Sequence, residues 1–231
     1  MPTILVTGAN RGLGLEFCRQ YAQLGWRVLA CTRNSQSADK LAELGEQYST
    51  IHIYQLDLEN FSEIDLLSSQ LATETIDVLI NNAGVYGDTK AHSFGNLDFQ
   101  KWSNTLTINT QAPVKMAEAF LPQVKRSEKK LMVAISSLMG SIADNSGGGS
   151  ILYRSSKAAL NATMKSLAID LKEQGVGVLI FHPGWVRTDM GGPNGLIDVE
   201  ESITGMREVI AEFRLTLTGD FVKYDGMPMP W

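Results

Sequence analysis

Short runs of β-branched and aliphatic residues alternate along this chain with longer amphipathic stretches. Such alternation is typical of βαβ units, in which crossover helices join parallel strands. Strands are predicted near residues 3–7, 27–31, 51–55, 77–81, 131–136, 176–181 and 220–223. Helices are predicted near residues 12–24, 37–48, 60–73, 97–125, 151–174 and 199–213. The pattern therefore predicts an α/β fold, a doubly wound parallel sheet of about seven strands flanked by helices.

Length and composition are those of one folded domain. A chain of 231 residues can bury roughly 70–75% of the surface that it exposes when unfolded, and we expect residues 1–231 to form a single domain. The formal net charge of -5 argues against a nucleic-acid binder, which normally presents a basic surface. Because no apolar run reaches ~18 residues and no secretory signal is recognisable, we expect a cytoplasmic protein without a membrane span.

Cysteine and histidine do not form a metal-binding pattern. Cys18 and Cys31 lack ligand spacing and are expected to be free, buried thiols. His52, His92 and His182 are scattered, and we expect structural or surface roles for them. No metal is therefore predicted.

A glycine-rich loop follows the first strand, with Gly8, Gly12 and Gly14 leading into a helix. Gly8 can make the tight turn, while Gly12 and Gly14 lack the β-carbons that would keep a pyrophosphate from the amides at the helix N-terminus. The alternative is a tight connection without a ligand. The spacing differs from the standard dinucleotide fingerprint, but the setting is that of a Rossmann-type fold.

Arginine stands where an acid would select NAD. Arg33 follows the second strand, at the position from which an acidic side chain usually binds the ribose 2′-hydroxyl. Together with Arg11 in the glycine loop, it suits a 2′-phosphate, so the expected cofactor is NADP(H). Asp57, after the third strand, could accept from the adenine amino group or could cap the helix starting near Asn60.

Polar residues also follow the fourth and fifth strands. In the segment from Asn81 to Gly84, small residues allow the cofactor ribose to approach, and asparagine side chains can join neighbouring loops. Ser136 and Ser137 end the fifth strand, where a hydroxyl could bind a substrate carbonyl. Adjacent strand residues face opposite sides, so the pattern leaves open which serine does so.

Tyr153 and Lys157 are four residues apart in a predicted helix and share one of its faces. A nearby ammonium favours the phenolate, so we expect it to lower the tyrosine pKa and ease proton exchange with a carbonyl or alcohol oxygen.

Pro113 has no amide hydrogen for the carbonyl of Asn109, four residues earlier. That free carbonyl and Lys157 could bind a water in a proton path.

These motifs together resemble the short-chain dehydrogenase/reductase family, and within it the carbonyl reductase branch that includes C-factor and sniffer proteins. The branch resemblance rests on residues 182–193 and on the ending, Tyr224 to Trp231. The resemblance implies that Tyr153 is the general acid/base, Lys157 its electrostatic partner and a ribose ligand, Ser137 the carbonyl orienter and Asn109 the water anchor. It also implies that Val186 and Thr188 hold the nicotinamide amide. The full set of predicted cofactor contacts is Gly8, Asn10, Arg11, Gly12, Leu13, Gly14, Arg33, Asp57, Leu58, Asn82, Ala83, Gly84, Asn109, Tyr153, Lys157, Val186 and Thr188.

The interval between Ser137 and Tyr153 is longer than is usual in the family, by about the length of a glycine insertion at 147–149. We interpret this as a loop variation that keeps the catalytic residues. The expected activity is NADPH-dependent reduction of a small apolar ketone, aldehyde or quinone, or the reverse reaction on an alcohol, with C-terminal loops binding the substrate. The alternative is a cofactor-binding signalling protein.

Family members commonly pair through the helices predicted at 97–125 and 151–174, so a homodimer is expected.

Overall fold

A computed structural model describes residues 1–91 and 93–231, and these form an α/β structure. Its strands are Thr3–Thr7 (β1), Arg27–Thr32 (β2), Ile51–Gln55 (β3), Val78–Asn81 (β4), Leu131–Ile135 (β5), Gly177–His182 (β6) and Phe221–Lys223 (β7). They pair in parallel in the order β3-β2-β1-β4-β5-β6-β7. The predicted doubly wound parallel sheet is confirmed, and each strand ends within one residue of its prediction.

Helices cover both faces of the sheet. They are Gly12–Gln23 (α1), Asp39–Gln47 (α2), Phe61–Gln70 (α3), Phe99–Leu106 (α4), Ala112–Lys125 (α5), Ile151–Lys172 (α6) and Val199–Glu212 (α7). The central residues of the inner strands are apolar and buried because each face of these strands packs against helices. Along β2, Val28 and Ala30 belong to the core on one face, and Leu29 and Cys31 to the core on the other. Among the described residues, no helix has the length and apolar character needed to cross a bilayer.

The long helix predicted at 97–125 is divided into three segments. A π-helical stretch, Thr107–Gln111, lies between α4 and α5, and the amide of Ala112 donates to the carbonyl of Thr107 five residues earlier. Pro113 follows directly and has no amide hydrogen with which to continue a regular α-helix. The continuous helix was therefore predicted correctly in extent but not in its internal geometry.

The order of strands places a crevice beside β1 and β4. The chain builds the sheet outward from β1 through β2 to β3, then returns to the other side of β1 with β4 and continues to β7. Loops at the carboxyl ends of these two neighbouring strands turn to opposite faces, and ligands of open α/β sheets bind in the opening between them.

Candidate active site and nucleotide cleft

A cavity of about 650 Å³, which we call the cleft, opens at the carboxyl ends of the central strands. The predicted site residues that line it are Gly8, Asn10, Arg11, Gly12, Leu13, Arg33, Asp57, Leu58, Asn82, Ala83, Gly84, Tyr153, Lys157 and Thr188. Four other predicted site residues, Gly14, Asn109, Ser137 and Val186, lie outside this lining. The fold therefore brings most of the predicted residues, which are far apart in the sequence, to one opening.

The glycine loop combines two left-handed glycines with a close backbone approach at a third. Gly8 and Gly12 have φ angles of +66° and +53°, in the left-handed region that favours glycine. A β-carbon on Gly14 would lie 2.2 Å from the carbonyl oxygen of Gly8, so this glycine allows α1 to pack against the loop. Our prediction that Gly14 opens the way to a pyrophosphate is thus corrected, because its missing β-carbon makes room for protein backbone.

Asn82 and Thr7 join the ends of β1 and β4. The Asn82 side-chain amide donates to the carbonyls of Thr7 and Gly8, at 2.8 and 3.2 Å. In return, the Thr7 hydroxyl accepts from the amides of Asn82 and Ala83, at 3.0 and 3.1 Å. The predicted role of asparagine in joining neighbouring loops is confirmed, and these bonds tie the loop after β1 to the loop after β4.

Basic side chains gather at the β2 end of the cleft. Arg33 lines it, as predicted, and so does Lys40 from the first turn of α2, which the sequence analysis missed. A lysine seven residues after Arg33, at the start of the next helix, was the available signal. Arg11 instead makes an exposed ion pair with Asp189, 2.7 Å between Nη1 and Oδ2, so its guanidinium is directed across the mouth of the cleft.

Asp57 borders the cleft and does not cap α3. The N-cap position is occupied by Asn60. The Asp57 carboxylate accepts from the amide of Glu59 at 3.0 Å, and its own amide donates to Glu63 at 2.8 Å. Of the two alternatives drawn from the sequence, the cap is excluded, and an adenine contact remains a prediction.

Tyr153 and Lys157 lie side by side at the floor of the cleft. Lys157 Nζ is 5.8 Å from the Tyr153 ring centroid and donates to the carbonyl of Ile135 at 2.8 Å. Burial lowers the pKa of Lys157 to about 8. Burial also raises the pKa of Tyr153 to about 12, against a smaller lowering by its hydrogen bond with Ser137. The expected lowering of the tyrosine pKa is wrong for this structure, because desolvation of the phenolate on burial has the larger effect.

The structure distinguishes the two serines that end β5. Ser136 borders the cleft, but its hydroxyl donates to the buried side chain of Asn161, with 2.5 Å between oxygens. Ser137 hydrogen-bonds with Tyr153 and also accepts from the amide of Met139 at 3.1 Å. Of the two serines, Ser137 is thus the one whose hydroxyl is paired with Tyr153. His182 supports this loop, since its Nδ1 accepts from the amide of Leu138 at 3.2 Å.

Asn109 joins the cleft wall to the tyrosine helix. It is fully buried, and its side-chain oxygen accepts from the amide of Val85 at 2.8 Å. Its side-chain nitrogen donates to the Val85 carbonyl at 2.8 Å and to the Ser156 hydroxyl at 2.9 Å. The side chain of Asn109 is therefore structural, and any contact with water would involve its backbone carbonyl.

The last two predicted cofactor contacts, the cysteines and His52 differ in their burial and in whether they line the cleft. Val186 is buried and bridges to Ile197, whereas Thr188 lines the cleft. Cys18 and Cys31 are free and buried, as predicted, and burial raises the pKa of each thiol. His52 lies on β3 with an exposed side chain, and the prediction for His92 falls outside the described residues.

Comparison with known proteins agrees with this geometry. The family model for short chain dehydrogenases matches residues 2–195. The C-signal protein of Myxococcus xanthus is 39% identical, over 71% of this chain and 98% of that protein. The solved structure of the carbonyl reductase Sniffer of D. melanogaster superposes with a TM-score of 0.93 at 36% identity, over 100% of both chains. An NADPH-bound carbonyl reductase from chicken fatty liver gives 0.92 at 32%, over 100% of this chain and 99% of that one.

The match to the family model extends over most of the chain, and the structural likeness to the two carbonyl reductases extends over all of it. The predicted resemblance is thereby confirmed. The chain belongs to the short-chain dehydrogenase/reductase family of oxidoreductases and is similar to its carbonyl reductases.

Proposed function

We propose that this protein is an NADPH-dependent reductase of small apolar ketones, aldehydes or quinones. The observation that carries the proposal is the position of Tyr153, at the floor of the cleft, bonded to Ser137 and beside Lys157. A phenol with these two neighbours can donate a proton to a carbonyl oxygen that Ser137 orients. The likeness to carbonyl reductases in sequence and fold supports the same activity.

The residues of the cleft fit NADP(H). Gly12 leaves room beside Thr188, whose nearest atom would be 3.6 Å from an added β-carbon, so a pyrophosphate can approach the start of α1. Arg33 and Lys40 would provide positive charge for the 2′-phosphate, and Asp57, which also lines the cleft, would accept from the adenine amino group. The similar structures that contain NADPH or NADP include one from chicken fatty liver and one from Pseudomonas aeruginosa.

The chemistry divides between cofactor and protein. When bound, NADPH supplies the hydride that the carbonyl carbon accepts. The carbonyl oxygen takes the proton of the Tyr153 hydroxyl, which gives an alcohol, and a proton from solvent restores the tyrosine. Since the Tyr153 pKa is raised to about 12, the hydroxyl carries its proton at neutral pH, as a donor must. The Lys157 ammonium stabilises the phenolate that forms when the proton leaves.

The substrate is expected to be apolar because aromatic and apolar side chains stand near the cleft. Tyr86 packs against the Tyr153 ring, with 4.9 Å between centroids, and 38% of its surface is exposed. Met190 lines the cleft and is half exposed, and Trp185 lies in the same loop after β6. These loops, rather than the glycine loop, would select the substrate.

Replacement of the proton donor tests the proposal. Tyr153→Phe keeps the ring and loses the hydroxyl, so we expect NADPH binding to persist while kcat falls by ~10²-fold or more with a dicarbonyl or quinone substrate. Tyr54→Phe, on β3 at the far edge of the sheet, is a matched control that should retain activity. Near-native kcat in Tyr153→Phe would remove this residue from the mechanism.

A second candidate is a signalling role that depends on cofactor binding more than on turnover. The similarity to the C-signal protein of Myxococcus xanthus is the observation that favours it. The pairing of Tyr153 with Ser137 and Lys157 favours turnover instead. Steady-state assays of the unmodified protein with NADPH and simple carbonyl compounds distinguish the two, since a binding-only protein would show NADPH affinity without oxidation of the cofactor.

We also propose a homodimer that pairs through α4, α5 and α6. Exposed apolar side chains on these helices, Phe99 on α4 and Ile169 on α6, support a contact there. Light scattering at micromolar concentration should give twice the chain mass of 25.3 kDa, and a purely monomeric sample would refute the proposal.

A further inference from the structure

The helix that carries Tyr153 is not capped by its own sequence. Ser150, at the N-cap position of α6, has a left-handed backbone with φ of 45°, and its side chain makes no capping hydrogen bond. The first turn contains no acidic residue and includes Arg154, whose charge is unfavourable at a helix N-terminus. The amides of this turn therefore need partners from elsewhere in the fold.

Those partners come from the loop after β4. The carboxylate of Asp88 accepts from the amide of Tyr153 at 2.8 Å and, through its second oxygen, from the amide of Leu152 at 3.2 Å. Asp88 thus caps a helix that begins more than sixty residues later in the chain. A carboxylate at this position satisfies two amides and also complements the helix dipole.

Two neighbours of Asp88 fix its position. The Tyr86 hydroxyl hydrogen-bonds with the Ser150 hydroxyl at 2.6 Å, and its ring packs on Tyr153. Gly87 has a φ of +77°, and a β-carbon there would lie 2.4 Å from the Thr105 hydroxyl of α4. The turn at Gly87 therefore lets both flanking side chains face the start of α6. We call residues 86–88 the clamp.

The clamp is continuous with the wall of the cleft. Val85, which precedes it, lines the cleft and is bonded through both its amide and its carbonyl to the side chain of Asn109. A displacement of the clamp would therefore move Tyr153 relative to the wall against which the cofactor is expected to lie. Such a displacement changes the geometry of proton donation more than it changes the binding surface.

We propose that Asp88 is a positioning residue for Tyr153, whose carboxylate fixes the first turn of α6 so that the tyrosine hydroxyl stays in line with Ser137 and the carbonyl group of the substrate. This inference rests on the proposed reductase function. It assigns Asp88 no contact with substrate or cofactor. Its effect should therefore appear in kcat, with little change in KM for either ligand.

Substitution at Asp88 tests the inference. In Asp88→Ala both amides lose their partner, and we expect kcat to fall by about 10-fold, since small displacements of a reacting group are costly. KM for NADPH and for the carbonyl substrate should stay within about twofold. In Asp88→Asn, the side-chain oxygen can still accept, as asparagine caps helices about as well as aspartate, so most of kcat should be retained.

Asp98→Ala is the matched control. Asp98 is also an N-cap carboxylate, accepting from the amide of Lys101 at 2.9 Å at the start of α4, but it makes no hydrogen bond to α6. Loss of this cap should lower the melting temperature to a similar extent and leave kcat unchanged. An equal loss of kcat in Asp98→Ala, or wild-type kcat in Asp88→Ala, overturns the inference.

Amide hydrogen exchange gives a readout that does not depend on turnover. Exchange at Leu152 and Tyr153 should accelerate by about 10-fold or more in Asp88→Ala, because their acceptor is gone, and should be unchanged in Asp98→Ala. Unchanged exchange in Asp88→Ala would overturn the cap itself. An unmodified protein that does not oxidise NADPH would instead refute the proposed function, while the exchange result would still decide whether Asp88 fixes the turn.

Discussion

Lys157 is expected to make the protein less stable at neutral pH than at alkaline pH. Its side chain is 4% exposed, and the carbonyl of Ile135 accepts from its Nζ. Burial lowers its pKa from 10.5 to about 8, because the charged form loses its hydration on folding. At about 1.4 kcal/mol per pH unit, this difference corresponds to a cost of about 3 kcal/mol when the lysine is protonated in both states.

The direction of the pH dependence follows from proton binding. Below pH 8 the lysine is protonated whether the chain is folded or unfolded, and the full cost is present. Between pH 8 and pH 10.5 the unfolded chain binds more protons than the folded one, so the free energy of unfolding rises with pH. Above that range both states are neutral, and the cost is absent.

A comparison with Lys157→Met isolates this effect. Urea unfolding of both proteins at pH 7 and pH 10 gives two stability differences, and the wild type should gain about 2.5 kcal/mol relative to the variant over this range. Methionine is similar in length and carries no charge, and loss of the hydrogen bond to Ile135 contributes about equally at both pH values. Lys125→Met, at an exposed lysine, measures the change common to any loss of a lysine.

The assay also has a clear negative outcome. If the stability difference between wild type and Lys157→Met is the same at pH 7 and pH 10, the buried lysine has an ordinary pKa in the folded protein. The reasoning from burial would then be wrong. The same pKa predicts that reduction slows above about pH 8, where the ammonium beside Tyr153 is lost.

Four further substitutions test the cofactor site, the carbonyl orienter and the proton path. Arg33→Asp should narrow or reverse the preference for NADPH over NADH. A charge-assisted contact is worth about 10–150-fold in affinity, and a solvent-exposed contact falls at the lower end of that range. An unchanged ratio of kcat/KM for NADPH and NADH would contradict this prediction. Ser137→Ala should reduce kcat strongly and Ser136→Ala only mildly, because the latter hydroxyl is bonded to a buried side chain; the reverse order would move the carbonyl orienter by one residue. Pro113→Ala should lower turnover, although alanine is the better helix former, by letting the helix use the Asn109 carbonyl; unchanged kcat would make that carbonyl a structural detail.

The strands could be predicted closely because their signal is local. Each run of β-branched and aliphatic residues is bounded by glycine or polar residues, so even the ends of β1 and β6 lie within one residue of the prediction. The π-helical stretch within the long helix could not be predicted in this way. Within this stretch Asn109 hydrogen-bonds to Val85 and Ser156, and the hydrophobic periodicity of the sequence carries no information about such distant contacts.

In the candidate site, too, some features could be predicted from local sequence and others depended on tertiary contacts. Glycines, the arginine after β2 and the spacing of Tyr153 and Lys157 were sufficient to predict most of the residues that line the cleft, while the chemistry assigned to them stays a prediction. The choice between Ser136 and Ser137 required the position of Asn161, and the missed Lys40 required the direction in which α2 returns to the cleft. The opposite direction of the tyrosine pKa shift followed from burial, which depends on packing around the whole side chain.

By itself, the sequence determined the order of the elements, the faces that they bury and the residue types available to bind an anion or transfer a proton, because backbone sterics and side-chain periodicity act over a few residues. Only the tertiary structure decided which of those residues meet. The cap of Asp88 on the tyrosine helix joins positions 64 and 65 residues apart, and such a contact depends on how whole elements pack and on the polar groups that packing removes from water.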